Sequence, residues 1–246
     1  MTATPFRVLA SLAVSAVTLL PLAAQDKAPA RLEIRPLAFR SSLAAQEAYA
    51  HDPAAPKGTA AVKTSVKTYL NHEFTTVFLT GRKIVFTTKP DRESITRPGE
   101  LLGEAILPDD LRSGILLFLP ANPGDKASCR ILPINDSKGA FPAGSFRIAN
   151  LSPQPVRIVL EEKNYDFKPG TTEFITDPPV REGNQSGMKA FAFKDNTWQR
   201  IGSGLWPHPG KNRVVQILYF DAVSGNVQLR AFDDVPPREP AETPAG

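Results

Sequence analysis

Apolar and polar residues alternate with a period of two along most of the chain, which is typical of half-buried β-strands. In the segment 146–160, "FRIANLSPQPVRIVL", the residues Val156, Ile158 and Leu160 fall on one face of a strand, whereas Arg157 falls on the other. Thr, Val, Ile and Phe, which fit a pleated surface, dominate similar stretches from residue 62 onward. The continuously apolar stretch "GILLFLPA" at 114–121 predicts a central strand covered on both faces.

Turn signals separate these predicted strands. Pro and Gly precede strands in "RPGELLGEAIL", "FPAGSFRIA", "KPGTTEFI" and "HPGKNRVVQILYF", because Pro presets one turn dihedral and Gly supplies the left-handed one. Hairpins are predicted around "TGRK" at 80–83, around Asp195-Asn196 and around "SGN" at 224–226. The Pro-Gly pairs repeat, but the side chains around them show no convincing repeat.

One short helix is predicted in "SSLAAQEAYAHD" at 41–52, capped by Ser41 or Ser42 and ending before Pro53. No longer helical period occurs. The fold class predicted is therefore all-β: an Ig-like β-sandwich, as one large or two tandem domains, with at most one short helix. A boundary in 136–144 divides the chain into an N-terminal β-rich domain, 31–138, and a C-terminal β-sandwich domain, 139–234.

The two ends of the chain differ from the part between them. Residues 1–24 combine a basic start at Arg7, a short apolar run and small residues at the exit, which predicts a secretory signal peptide. The apolar run is shorter than the ~20 residues that span a bilayer, so membrane contact is expected only before cleavage. Residues 25–30 are predicted to be a leader and 235–246 a disordered, Pro-rich tail. The mature protein is expected in the periplasm or outside the cell.

Charge and cysteine content narrow the class of protein further. The 246 residues carry a formal charge of +4, scattered along the chain, so no basic stripe of the kind that binds nucleic acid is present. Cys129 is the single cysteine, which excludes an internal disulfide and favours a small buried residue on a strand. A fold held by packing alone suits a bacterial envelope.

Residues with catalytic chemistry are sparse. His51, His72 and His208 are expected in exposed loops, and their spacing forms no metal-ligand pair. Adjacent carboxylates such as Asp233 and Asp234 point to opposite faces of a strand, so they form no catalytic dyad. Neither a nucleophile elbow nor a phosphate loop occurs. We predict no catalytic residue, metal or cofactor, hence no enzyme; a hydrolase with dispersed carboxylates remains an alternative.

Aromatic side chains offer the candidate ligand-binding residues. Trp206, in the predicted loop "LWPHPG", and Trp198 are candidates for stacking on sugar rings, with His208 beside Trp206 in sequence. A carbohydrate-binding module using these residues is the main alternative function. Packing of both tryptophans within a sheet or core is the competing interpretation.

A local resemblance adds to this picture. The elements Phe146-Arg147-Ile148, Ser152-Pro153, Val156 to Leu160 and Pro169-Gly170 resemble the repeat pattern of bacterial secreted Ig-like domains of unknown function, the DUF4397 class, over about thirty residues. The resemblance implies an envelope β-sandwich and no particular activity. The sequence thus predicts an exported, non-enzymatic β-sandwich protein with a binding or structural role in the bacterial cell envelope, whose partner is an unidentified protein or glycan.

Overall fold

A computed structural model describes residues 28–70 and 73–235. The predicted signal peptide, His72 and the predicted tail beyond Val235 lie outside the described residues. Strands make up the regular structure, and the described part of the chain contains two 3₁₀ turns, Ser41–Leu43 and Arg92–Ile95, but no α-helix. The predicted all-β class is confirmed.

The first half of the chain forms two four-stranded sheets. Sheet A has the strand order β4-β1-β7-β8 and sheet B the order β3-β2-β5-β6. All neighbours are antiparallel except β1 and β7, which run parallel. The strands are β1 (Ala30–Ala38), β2 (Ala45–His51), β3 (Val62–Val66), β4 (Thr75–Leu79), β5 (Lys83–Thr87), β6 (Leu101–Ile106), β7 (Ser113–Pro120) and β8 (Cys129–Asn135).

The second half repeats this topology strand for strand. Sheet C has the order β12-β9-β15-β16 and sheet D the order β11-β10-β13-β14, again with a single parallel pair, β9 with β15. Each strand therefore has a counterpart eight strands earlier. The strands are β9 (Phe146–Asn150), β10 (Val156–Leu160), β11 (Lys163–Phe167), β12 (Thr172–Ile175), β13 (Gln185–Lys194), β14 (Thr197–Pro207), β15 (Arg213–Asp221) and β16 (Asn226–Asp234).

The repeat extends to side chains. In β1 the guanidinium of Arg35 lies 5.3 Å from the ring centre of Phe74, and in β9 Arg147 lies 5.6 Å from the ring of its register partner Phe174. Asp136 directly after β8 corresponds to Asp234 at the end of β16. The spacing between equivalent residues differs from pair to pair, which hides the repeat from inspection of the sequence.

Three apolar clusters place the four sheets in a stack with the order B, A, C, D. One cluster lies between sheets B and A, one between A and C, and one between C and D. Strand β7 shows the consequence: Leu116 and Phe118 enter the first cluster, whereas Ile115 and Leu117 enter the middle one. The continuously apolar stretch is therefore covered on both faces, as predicted.

A buried cluster of four charges, hereafter the charge quartet, joins the two halves. Arg35 donates to both carboxylate oxygens of Asp136, at 2.9 and 2.7 Å, and to both of Asp234, at 2.6 and 2.9 Å. Arg213 also bonds to both carboxylates. All four side chains are at most 2% exposed. Two positive and two negative groups balance, which keeps burial of these charges tolerable.

The helix predicted at 41–52 is wrong. After the 3₁₀ turn at Ser41–Leu43, the chain forms strand β2, in which Ala50 pairs with Phe86 of β5. Burial of Ala48 and Ala50 in the core between sheets A and B outweighs the weak helical preference of an Ala-rich stretch.

The prediction of an exposed His51 is wrong for the same reason: His51 is buried in β2 and its Nε2 lies 2.7 Å from the hydroxyl of Thr87. Burial lowers the pKa of His51.

Of the three predicted hairpins, one is wrong and two are confirmed. "TGRK" carries the chain from β4 in sheet A to β5 in sheet B, so these two strands are not paired. The turn at Asp195 and Asn196 joins β13 to β14, with φ of 51° and 60°, and residues 222–225 join β15 to β16. The predicted domain boundary between residues 138 and 139 stays a prediction.

Candidate functional site

The two halves differ at one edge of each sandwich. In the first half β6 and β8 approach so closely that a Cβ on Gly103 would lie 2.8 Å from the carbonyl oxygen of Cys129. Cys129 is buried in this closed edge, and burial raises the pKa of its thiol. The counterpart strands β14 and β16 lie farther apart. A groove of about 320 Å³ opens between them.

Six side chains give the groove its chemical character. It penetrates between sheets C and D, so its inner wall is the edge of the core between these two sheets. The loop that joins β14 to β15 forms a second wall. The six side chains are Phe146, Trp206, His208, Asn212, Gln216 and Asp233.

Trp206 reaches the groove because of a β-bulge. Residue Ile201 of β14 has no partner between the pairs Phe191–Arg200 and Ala190–Gly202, and an extra residue of this kind reverses which face the following side chains occupy. Trp206 consequently points inward, where its indole stacks on Phe146 with ring centres 4.6 Å apart and planes inclined by 10°. Buried Phe146 therefore covers one face of the indole, and Trp206 with Phe146 beneath it is called the aromatic wall of the groove.

Trp198 lies on the opposite face of sheet D. It precedes the bulge and packs edge-on against Phe193, at 5.2 Å, and beneath the guanidinium of Arg157, at 4.4 Å from the ring centre. Its separation from Trp206 by eight residues would place both on one face of a regular strand. The structure therefore brings Trp206 and His208 together and leaves Trp198 out of the groove.

Two hydrogen bonds hold His208 in place, one to a residue outside its loop and one within the loop. Its backbone N–H donates to the carbonyl of Asn184, and its Nδ1 accepts a 2.9 Å hydrogen bond from the N–H of Gly210. The neutral imidazole therefore carries its hydrogen on Nε2, which is left to donate to a ligand. Gly144 makes room for this loop: its φ is 77°, and a Cβ there would lie 3.3 Å from the carbonyl oxygen of Gly210.

Gln216 forms the polar part of the groove's inner wall. The residue is only 3% exposed and lines the groove, and no hydrogen bond of its side chain to another described residue is formed. Its amide is therefore open to the groove and can offer two donor and two acceptor positions to a molecule bound there.

Asp233 and Asn212 stand exposed at the mouth of the groove. Among the described residues, the carboxylate of Asp233 has no ion-pair or hydrogen-bond partner, whereas its neighbour Asp234 belongs to the charge quartet. The prediction that these adjacent carboxylates point to opposite faces is thus confirmed.

Of the six groove residues, the sequence analysis named Trp206 and His208 as site candidates and missed four: Phe146, Asn212, Gln216 and Asp233. Gln216 sits within "NRVVQILYF" as an isolated polar residue in an apolar strand, and this interruption was the one available signal. Asp233 and Asn212 are ordinary polar residues near strand ends. They line one groove only because β14 and β16 are separated in the structure.

Within the described ranges 28–70 and 73–235, no group of three or more His, Cys, Asp or Glu side chains is arranged to hold a metal ion. No helix in this part of the chain has the length and apolar character needed to cross a membrane.

Comparison with known proteins assigns no family. No family model and no curated protein matches the chain. Among solved structures, it is similar to a candidate cell adhesion protein from Bacteroides uniformis, with 11% identity, coverage of 84% of this chain and 98% of that chain, and a TM-score of 0.22. A second candidate cell adhesion protein, from Parabacteroides distasonis, shows 9% identity, coverage of 87% and 98%, and a TM-score of 0.17. At these TM-scores no shared function is assigned.

Proposed function

We propose that this chain is an exported, non-enzymatic β-sandwich protein of the bacterial cell envelope, and that it binds a small ligand in the groove between sheets C and D. The observation that carries the proposal is the convergence of an aromatic surface, Trp206 on Phe146, with the polar groups of His208, Gln216 and Asp233 in one groove. Gln216 is nearly buried and forms no side-chain hydrogen bond to another described residue, so its amide remains available to a ligand.

The composition of the groove favours binding over hydrolysis. Glycosidic hydrolysis generally uses two carboxyl groups on opposite sides of the scissile bond, whereas the groove contains one, Asp233. An aromatic wall with a few convergent polar groups is the usual make-up of a small-molecule site. Export is supported by the signal-peptide pattern of residues 1–24.

Binding is tested by ligand-observed NMR with a library of small polar compounds, using Gln216→Leu and the matched control Gln228→Leu. Gln228 lies on β16, is exposed, and makes one long 3.3 Å side-chain contact to Ser224. We expect compounds that bind the wild type and the control but lose about tenfold or more in affinity with Gln216→Leu. Equal binding to both variants, or no binding compound at all, would contradict the proposal.

Export is tested separately. A C-terminally tagged full chain is expressed in a bacterium, the periplasmic and cytoplasmic fractions are separated, and the mature N-terminus is determined by mass spectrometry. We expect the protein outside the cytoplasm with cleavage after Ala24. A cytoplasmic, uncleaved protein would contradict this part of the proposal.

A further inference from the structure

We infer that the groove binds one neutral pyranose ring of a glycan. This inference rests on the proposed binding function and deepens it by naming the class of ligand. Three features of the lining carry it: an aromatic wall, hydrogen-bond donors and acceptors that lie side by side, and the absence of Lys and Arg.

The aromatic wall matches one face of a sugar ring. A pyranose presents C–H bonds on a face and hydroxyl groups around its rim, so it is apolar and polar at once. The indole of Trp206 supplies the apolar surface, and it is held in place by its stacking on Phe146, which is itself buried in the core between sheets C and D. Such a surface is already ordered before binding, which lowers the entropic cost of complex formation.

The polar groups match hydroxyls better than they match ions. His208 offers a donor at Nε2, Gln216 offers both donors and acceptors, and Asp233 offers acceptors. A cation would leave the donors of His208 and Gln216 without acceptors, and an anion would face the carboxylate of Asp233 without a balancing cation. Hydroxyl groups both donate and accept, so they satisfy all three side chains.

The dimensions of the groove indicate a single ring. Its volume of about 320 Å³ lies at the small end of the ~300–1,000 Å³ that ligand pockets occupy. Asp233 and Asn212 are exposed at the mouth, which leaves an outlet for further sugar units into solvent. The groove would therefore hold one unit of a longer glycan.

The test is saturation-transfer NMR followed by calorimetry on the full mature chain. The probes are the methyl glycosides of glucose, galactose, mannose and N-acetylglucosamine, with sorbitol as an acyclic polyol and choline as a cation. We expect at least one methyl glycoside to bind with a dissociation constant of about 0.1–10 mM. Sorbitol, which has hydroxyls but no ring face to stack, should not bind.

Variants assign the binding to the groove. Gln216→Leu and Asp233→Asn should each weaken the glycoside about tenfold, while Trp198→Ala and Gln228→Leu should leave it unchanged. Asp233→Asn keeps the test valid if Gln216→Leu disturbs the strand, because Asp233 is exposed. Glycoside binding that survives both groove variants would overturn the inference.

Binding of choline or other non-sugar compounds in the groove, with no binding of a glycoside, would overturn the sugar assignment but leave the proposed binding function standing. No binding of any compound would overturn both.

Discussion

The charge quartet is the residue-scale feature on which the junction between sheets A and C depends. Arg35 donates hydrogen bonds to two carboxylates from different halves of the chain, Asp136 and Asp234. Arg213 also donates to the carboxylate of Asp136. A buried pair of this kind adds modest net stability, but the loss of one partner leaves an uncompensated charge. Its contribution is therefore to fix how the two sheets face one another.

Asp234→Asn should lower the free energy of unfolding by about 3–5 kcal/mol, because Arg35 and Arg213 then share one carboxylate in a buried site. The matched control is Asp233→Asn, the same substitution one residue earlier on the exposed face, which should change stability by less than about 0.5 kcal/mol. Urea unfolding followed by circular dichroism measures both. Equal stabilities of the two variants would show that the quartet is dispensable.

Divergence between the two halves is visible at the same scale. Arg147 is the counterpart of Arg35, yet it has no carboxylate partner: its Nη1 donates to the carbonyl of Ala140 at 3.3 Å, and its buried Nε has no partner in the described chain. Burial lowers the pKa of Arg147. Arg213, which occupies the place of Ser113 in the first half, bonds to the carboxylates instead. The two halves therefore share a fold but differ in their buried charged residues.

These residues also show how far the sequence could predict the site. Alternation along β16 was enough to separate Asp233 from Asp234 onto opposite faces. The sequence could not show that Asp234 meets Arg35, 199 positions away, since such contacts depend on how sheets stack. The inward orientation of Trp206 depends on one bulge residue, Ile201, and the glycines at 202 and 204 are the sequence signal for such a bulge.

At the scale of elements, the closed edge in the first half and the open edge in the second half are the main difference between equivalent strands. The alternation of apolar residues predicted most strands correctly because burial of one face dictates it. It does not predict β2, where Ala, Gln and Glu carry little strand signal, or the link between β4 and β5, where a tight turn joins strands of two different sheets. Neither error changes the fold class, but both concern which sheet a strand joins.

Gly103→Ala should force β6 and β8 apart, because a Cβ would meet the backbone oxygen of Cys129 at 2.8 Å and the side chain of Ile131 at 3.0 Å. We expect a loss of about 1–3 kcal/mol in stability and faster labelling of the Cys129 thiol by a disulfide reagent. The control is Gly204→Ala on the counterpart strand β14, where a Cβ would meet nothing within 4 Å. Labelling of Cys129 at the same rate in both variants would contradict close packing of this edge.

At the scale of the whole molecule, the four sheets form a continuous stack whose middle layer is shared. Leu37 and Leu117 from sheet A, with Phe39 directly after β1, pack against Val215 and Ile217 from sheet C. The central residues of this cluster are buried, as are those of the clusters inside each sandwich. The prediction that β7 is covered on both faces anticipated part of this layer, but alternation alone does not show which sheet covers an outer face. The apolar outer positions of β7 and β15 were the available signal.

We propose that residues 28–138 and 139–235 are two halves that require each other to fold, although each has its own pair of sheets. Separated, each fragment keeps a balanced pair, Arg35 with Asp136 or Arg213 with Asp234, but exposes its side of the middle cluster to water, at a cost of about 25 cal/mol for each Å² of apolar surface. Each fragment alone should therefore aggregate or lack a cooperative thermal transition, whereas an equimolar mixture should form a one-to-one complex. Size-exclusion chromatography with light scattering and thermal circular dichroism measures both properties, with the intact chain as the reference. A fragment that unfolds cooperatively by itself at the temperature of the intact chain would show that the middle layer is a contact between independent domains.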